Sequence, residues 1–284
     1  MDERFIETNG VRLHAVVAGS GPLVVLLHGF PQTAYAWRKQ IPALAARFRV
    51  VAPDLRGYGE SDKPPRVADY RVAVLVADIA GLIRALGAER AHIVGHDWGG
   101  AVAWMLAQRY PEMIERLAVL NSPHPAAFSR ALRSFSRQLL RSWYIFAFQL
   151  PMLPEWWLTR DAAAPLADLL RASGAGRTFS EDDLIECRHA FCRRGAASAA
   201  LAYYRALFRD ALTGHLGDAT RAISAPTLVL WGTRDVALGV ELTRGMRRYF
   251  SGPFELRYIR GASHFVMEER PDVVNRALAE FLSA

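Results

Sequence analysis

The chain has 284 residues, of which 51% are hydrophobic and 22% charged, enough for one large α/β domain with an inserted subdomain and a full core. Its net charge of +7 comes almost wholly from scattered arginines, Lys39 and Lys63 being the only lysines, and no nucleic-acid motif accompanies them, so a nucleic-acid partner is not expected. No apolar stretch reaches the ~20 residues of a membrane span; the longest candidate, Tyr144 to Leu158, is interrupted by Pro151 and Pro154.

The start, Met1-Asp2-Glu3-Arg4, is charged and leads into a short strand-like run, so no signal peptide is expected and a cytoplasmic protein is. Over residues 1–121 short β-branched runs alternate with helical patterns, as in a mostly parallel sheet. The strand-like runs are Val11–Val17, Leu23–Leu27, Arg49–Ala52, His92–Val94 and Leu117–Leu120. The helix at Val72–Leu86 carries apolar residues at Leu75, Ile79, Leu82 and Leu86. From 124 to 215 helical, aromatic-rich stretches follow one another with no convincing strand. Alternation returns with a strand at Thr227–Trp231, a helix near Glu241–Tyr249, a strand at Glu255–Ile259 and a last helix from Pro271. The pattern predicts a core of residues 1–123 and 216–284, interrupted by a helical lid over 124–215. Cys187 and Cys192 are five apart, off a common helix face, and no further cysteine completes a metal site; two reduced, partly buried thiols are expected.

The most informative segment is Ala91-His92-Ile93-Val94-Gly95-His96-Asp97-Trp98-Gly99-Gly100, a strand, a sharp turn and a helix that Pro111 ends. It has the form of a nucleophile elbow, Gly-x-Nuc-x-Gly, with aspartate where serine usually stands. Side chains at Gly95 and Gly99 would collide across so tight a turn. Alone, the pentapeptide is weak, because an aspartate there is also an ordinary helix N-cap. Its partners follow in the order nucleophile, acid, histidine. Asp235 lies just after a strand in Trp231-Gly232-Thr233-Arg234-Asp235, and His264 follows the last strand in Gly261-Ala262-Ser263-His264-Phe265. The strand before the insert ends Leu120-Asn121-Ser122-Pro123 without a carboxylate, so Asp235 is the better acid. His28-Gly29-Phe30-Pro31 occupies the oxyanion-loop position, where the backbone N–H groups of Phe30 and Trp98 would converge on an oxygen of Asp97. Pro31 can fix that turn through a cis bond. His28 reads as structural, His96 and His124 as pocket lining or support, and the glycine-rich loop from Asp54 to Asp62, lacking a phosphate-loop lysine, as scaffold.

His28-Gly29-Phe30-Pro31, Gly95-His96-Asp97-Trp98-Gly99-Gly100 and Asn121-Ser122-Pro123-His124-Pro125 together resemble the epoxide hydrolases of the α/β-hydrolase superfamily, over essentially the whole chain. The resemblance implies a mostly parallel eight-stranded sheet flanked by helices, with an all-helical cap. It also implies two cap tyrosines that hold the epoxide oxygen. The run Ser142-Trp143-Tyr144-Ile145-Phe146-Ala147-Phe148-Gln149-Leu150-Pro151 places one at Tyr144; Ala202-Tyr203-Tyr204-Arg205 places the other at Tyr204, with Tyr203 the adjacent alternative.

A carboxylate nucleophile suits such chemistry. It is ionised at neutral pH and can displace a leaving group from saturated carbon without prior deprotonation. The alkyl ester that results is then open to water activated by His264, with Asp235 orienting the imidazole. An epoxide's alkoxide is a poor leaving group, which two phenols would protonate. The nearest rival is dehalogenation of haloalkanes or haloacids, which needs N–H donors to halide. Phe30 stands where haloalkane dehalogenases typically carry an asparagine, although Trp98 and the cap tryptophans Trp143, Trp156 and Trp157 offer indoles. Trp98-Gly99-Gly100-Ala101 lacks the arginines that hold a haloacid carboxylate. A third reading is a non-catalytic ligand receptor on the same fold. No metal or cofactor is expected; an apolar epoxide and water are the expected partners, and a monomer or a homodimer fits equally. Phe135, Trp143, Phe146, Phe148, Trp156 and Trp157 are expected to make the pocket apolar.

Overall fold

The run Leu23–Leu27 is apolar at every position, as a strand covered on both faces must be. In the computed structural model, which describes residues 1–134, 137–173, 178–213 and 221–284, it lies inside a sheet. The strands are β1 (Asp2–Thr8), β2 (Val11–Ala18), β3 (Leu23–Leu27), β4 (Arg49–Pro53), β5 (Ala91–His96), β6 (Ile114–Leu120), β7 (Thr227–Gly232) and β8 (Phe254–Ile259). Among the described residues they form one eight-stranded sheet in the order β1-β2-β4-β3-β5-β6-β7-β8. β2 pairs antiparallel with β1 and with β4, and the remaining pairs are parallel. With β4 on one side of β3 and β5 on the other, the sheet reverses its direction of growth at β3. The carboxyl ends of the strands open a crevice there, where ligands of such sheets bind.

Three helices precede the insertion: α1 (Ile41–Ala45), α2 (Val72–Ala85) and α3 (Trp98–Arg109). Between β6 and β7 come α4 (Pro125–Arg133), α5 (Arg137–Arg141), α6 (Trp143–Ala147), α7 (Leu153–Ser173), α8 (Glu181–Cys192) and α9 (Ala196–Thr213), with no strand among the described residues. The expected insertion boundary at 215/216 lies outside the described residues. α7 is two helices in sequence, parted where Asp161, Ala162 and Ala163 take positive φ; Arg188 binds the Asp161 and Ala162 carbonyls exposed by the break. The chain ends with α10 (Val266–Glu269) and α11 (Pro271–Ser283).

One element differs from expectation. The stretch Glu241–Tyr249 is not a single helix but two 3-10 turns, Val240–Thr243 and Met246–Tyr249. Arg244 is extended and Gly245 is left-handed at φ +67°, so the i to i−4 ladder cannot run through them. The thiols also differ: both are free, but Cys187 is buried and Cys192 exposed, and burial pushes the Cys187 thiol up to about 12.

Buried polar contacts tie the insertion to the sheet domain. The Tyr203 hydroxyl of α9 donates to the Arg56 carbonyl at 2.7 Å, and the Arg56 guanidinium is held by both oxygens of Asp78, each at 2.7 Å. On another side Arg38 joins Asp183 of α8, at 2.7 Å, to Glu268 of α10, at 2.5 Å. The glycine-rich loop after β4 is scaffold, as expected. Buried Asp54 accepts from Ala34 N, Glu60 N and His14 Nδ1, and a Cβ at Gly59 would strike its carboxylate at 2.0 Å.

Candidate active site

β5 is buried throughout and turns sharply into α3 at Asp97, whose φ of 50° and ψ of −117° lie outside the regions open to ordinary residues. The strain is held by close packing. A Cβ at Gly95 would meet the Gly99 carbonyl oxygen at 2.5 Å, and one at Gly99 would meet that of Leu27 at 2.1 Å. Ser122 Oγ donates to the Asp97 carbonyl at 2.7 Å and braces the elbow from β6. The carboxyl group therefore projects from the carboxyl edge of the sheet.

Beside it the peptide Phe30-Pro31 is cis, and the Phe30 N–H donates to Asp97 Oδ1 at 2.8 Å. The Trp98 N–H at the start of α3 also donates to this carboxylate. A Cβ at Gly29 would strike Asp97 Cβ at 2.4 Å, so the loop requires glycine to come this close. Burial pushes the Asp97 carboxyl above its ordinary value; the His264 charge and the two N–H groups oppose that rise. His264 Nε2 stands 3.6 Å from Asp97 Oδ2, and its Nδ1 donates to Asp235 Oδ2 at 2.8 Å. Burial works against a charge on His264, but Asp235 and Asp97 outweigh it and push the imidazole up to about 9. Oδ1 of Asp235 accepts the N–H groups of Ala237 and Leu238, each at 2.8 Å, which fixes the carboxylate's orientation.

Two supports escaped the sequence reading. Asn121, fully buried at the end of β6, donates to Asp235 Oδ2 at 2.6 Å and accepts from Gly232 N at 3.0 Å. In the sequence this position shows the lack of a carboxylate and belongs to a family-like motif, but its left-handed φ of 41°, which asparagine tolerates, is visible only in the backbone. Glu269 accepts from Ser263 N at 2.9 Å and from Ser263 Oγ, holding the loop that carries His264. The histidines behave as supports. His28 Nδ1 donates to the Gly29 carbonyl while its Nε2 accepts from Leu55 N; His96 Nε2 donates to the His264 carbonyl. His124 accepts from Ala126 N and stacks on Tyr249 at 4.0 Å, away from the elbow's donors.

The insertion supplies an aromatic roof. The Tyr204 ring packs edge-on against Trp98, Phe30 and Phe148, and the Tyr144 ring lies 5.9 Å from it. Burial, then the Asp97 charge, raises both phenols above their ordinary value, so each keeps its proton at neutral pH. The Trp98 indole lies against Tyr204 and works against that rise. Tyr203 points elsewhere, into the wall formed by Tyr58, Tyr70 and Trp98, with its hydroxyl spent on Arg56.

That division predicts opposite phenotypes for adjacent residues. Tyr203→Phe leaves the buried Arg56 carbonyl unpaired, a cost of about 1–3 kcal/mol. At roughly 2–4 °C per kcal/mol the melting temperature, read by calorimetry, falls by several degrees, while turnover stays within about twofold of the parent. Collapsed turnover at an unchanged melting temperature would reverse the roles of Tyr203 and Tyr204.

The six aromatic residues expected in the pocket divide differently. Phe148 is buried and packs on Phe30 and Tyr204, and Phe135 lies outside the described residues. Trp143, Phe146, Trp156 and Trp157 instead face outward, with 66%, 48%, 59% and 36% of their surface exposed. The reason is helical phase: on α6, Tyr144, Ile145 and Phe148 share one face, so Trp143 and Phe146 take the other. Among the described residues no trio of His, Cys, Asp or Glu is arranged to hold a metal ion.

Comparison with known proteins agrees with this geometry. A family model described as alpha/beta hydrolase fold matches residues 22–271. Epoxide hydrolase 3 of Xenopus tropicalis is 38% identical over 284 residues, 98% of this chain and 76% of that protein. The crystal structure of a Bacillus megaterium epoxide hydrolase with an inhibitor superposes with a TM-score of 0.92 at 33% identity, covering 99% of this chain and all of that one. Epoxide Hydrolase A from Mycobacterium thermoresistibile gives 0.85 at 36% identity, over 100% and 98% of the two chains. The chain belongs to the epoxide hydrolases of the α/β-hydrolase fold.

Proposed function

We propose that the protein converts an apolar epoxide and water to a vicinal diol through a covalent ester on Asp97. The observation that carries this is the placement of two protonated phenols, Tyr144 and Tyr204, over a carboxylate whose other oxygen is already bound by backbone N–H. Residues 124–215 act as the cap and the remainder as the hydrolase core.

Asp97 Oδ1 is held by the Phe30 N–H, so Oδ2 is the oxygen free to attack an epoxide carbon. The carbon–oxygen bond breaks and the alkoxide takes a proton from Tyr144 or Tyr204, leaving a hydroxyalkyl ester. Oδ1 becomes the carbonyl oxygen of that ester, already in its oxyanion hole. Esterification also removes the Asp97 negative charge, one of the groups that raise His264 to about 9, so the imidazole becomes a stronger candidate to release its proton and act as base. Neutral His264 then takes a proton from water attacking the ester carbonyl, Asp235 stabilises the imidazolium, and collapse releases the diol. The proton that His264 gives up on esterification restores the phenolate, and the departing alkoxide takes the proton of the re-formed Asp97 carboxyl, so Asp97 ends the cycle ionised.

Dehalogenation would need N–H donors facing the leaving group. Trp98, packed edge-on against Tyr204, offers one indole, the Phe30 side chain has no donor, and Trp143, Trp156 and Trp157 face outward, so a second donor is lacking among the described residues. A parallel turnover screen with styrene oxide, an aliphatic epoxide and a haloalkane tests the assignment. Diol formation from one or both epoxides without halide release is the expected result. Halide release without diol would hand the site to dehalogenation, and binding without any turnover would make it a receptor.

A further inference from the structure

The outward aromatic face of the insertion has no use in the chemistry above. On α6 and the turn after it, Trp143, Phe146 and Leu150 project opposite to Tyr144. On the first part of α7, Leu153, Trp156 and Trp157 recur at i, i+3 and i+4, with Leu158 buried beneath. All six are exposed, within fifteen residues of chain. A monomer rarely leaves so dense an apolar group in water unless something covers it.

The charges around it indicate what covers it. Residues 124–161 contain five arginines, at 130, 133, 137, 141 and 160, and two carboxylates, Glu155 and Asp161, and Arg141 pairs with Glu241. Glu155 is taken up by Arg205, at 2.5 and 3.0 Å. Arg133, Arg137 and Arg160 are exposed, and Arg160 lies over the Trp156 ring at 5.8 Å. A second copy using the same patch would bring two like-charged surfaces together. Tryptophan and leucine with arginine in excess over acids are the composition that settles at the boundary of an anionic bilayer, indoles at headgroup level and guanidinium groups on the phosphates. No helix among the described residues is long and apolar enough to cross a membrane, so contact would be peripheral.

We propose that the exposed apolar surface carrying Trp143 and Phe146 on α6 and Leu153, Trp156 and Trp157 on α7, with the exposed Arg137 and Arg160 of the same segment, docks the protein on an anionic lipid bilayer. The surface lies on the back of the helix that carries Tyr144. If the site takes an apolar epoxide, a substrate dissolved in the bilayer would be delivered beside it; the docking itself does not depend on that reading.

The test is co-sedimentation of the whole protein, without substrate, with vesicles of equal parts phosphatidylglycerol and phosphatidylcholine, and with vesicles of phosphatidylcholine alone. Binding to the anionic vesicles is expected, with a blue shift of tryptophan emission. It should weaken roughly tenfold or more on the neutral vesicles, in Trp156→Ser/Trp157→Ser and in Arg137→Glu/Arg160→Glu. Raising salt to about 0.5 M, where screening shortens to roughly 4 Å, should weaken it similarly. Trp156 and both arginines are exposed and none of the four side chains serves the chemistry, so both double variants should keep the parent's turnover of a water-soluble epoxide. Trp157 is the least exposed of the four, at 36%, so the Trp variant should lose some melting temperature and the Arg variant little. The proposal is overturned if the parent stays in the supernatant with anionic vesicles, or if both double variants bind like the parent. A dimer by sedimentation velocity that Trp156→Ser/Trp157→Ser dissolves would assign the face to a second copy and overturn it too.

Discussion

His264→Gln is expected to stop turnover while leaving a stable adduct on the protein. Glutamine cannot take a proton from water, yet Asp97, the Phe30 and Trp98 N–H groups and both phenols remain in place. Alkylation needs no base, so it proceeds; hydrolysis of the ester stalls. Steady-state turnover should fall about ten-thousandfold, at the upper end of general-base contributions. Intact-protein mass spectrometry should show a gain equal to the whole epoxide, because addition expels nothing, and the gain should map to the peptide containing Asp97. Adding Asp97→Ala should remove it. In the parent, ester hydrolysis needs neutral imidazole, which is scarcer as pH falls below the His264 pKa. The ester should therefore accumulate toward acid pH and disappear as pH rises through the His264 value of the alkylated site, which lies below the about 9 of the free site because the Asp97 charge is gone. An inactive His264→Gln that binds epoxide without forming an adduct would mean that water attacks the epoxide directly, and the nucleophilic role of Asp97 would be lost.

Removal of both phenols should be nearly as damaging, through the other half of the reaction. Tyr144→Phe and Tyr204→Phe each leave one donor for the alkoxide, and each should lower turnover by about a hundredfold. Together they leave the alkoxide with none, and epoxide opening should fall to a level close to background. The ring contacts among Tyr144, Tyr204 and Phe148 survive the loss of oxygen, so substrate binding should change little. Because the loss lies in alkylation, no ester should accumulate in the double variant, and combining it with His264→Gln should abolish the adduct seen in His264→Gln alone. Parent-like rates in the double variant would show that other groups donate the proton. Tyr203→Phe is the internal control, since its hydroxyl serves the Arg56 carbonyl.

Much of the site was legible in the chain because it is built from strand ends. A strand followed by Gly95-His96-Asp97-Trp98-Gly99 has few conformations open to it, and steric conflict at the two glycines selects the elbow. Asp235 and His264 follow β7 and β8 at once, so placing the strands placed them at the same edge of the sheet, where the structure joins them through a 2.8 Å hydrogen bond. Phe30, one turn after β3, reached Asp97 by the same logic.

What only the tertiary structure decided concerns which side of an element meets which neighbour. Periodicity shows that α6 has two faces but not which of them a roof needs, so Trp143 and Phe146 were expected inside with Phe148 and lie outside. Tyr203 and Tyr204 are adjacent and about 100° apart on a helix, and local sequence favours neither; a carbonyl of the distant residue Arg56 claims one and leaves the other over Asp97. Asn121 was invisible for the same reason: its left-handed backbone and its three partners in the β7 and β8 segments exist only once the sheet is assembled. Short-range sterics and strand ends are written in consecutive residues. The choice between the two faces of a helix depends on surfaces contributed by residues more than a hundred positions away.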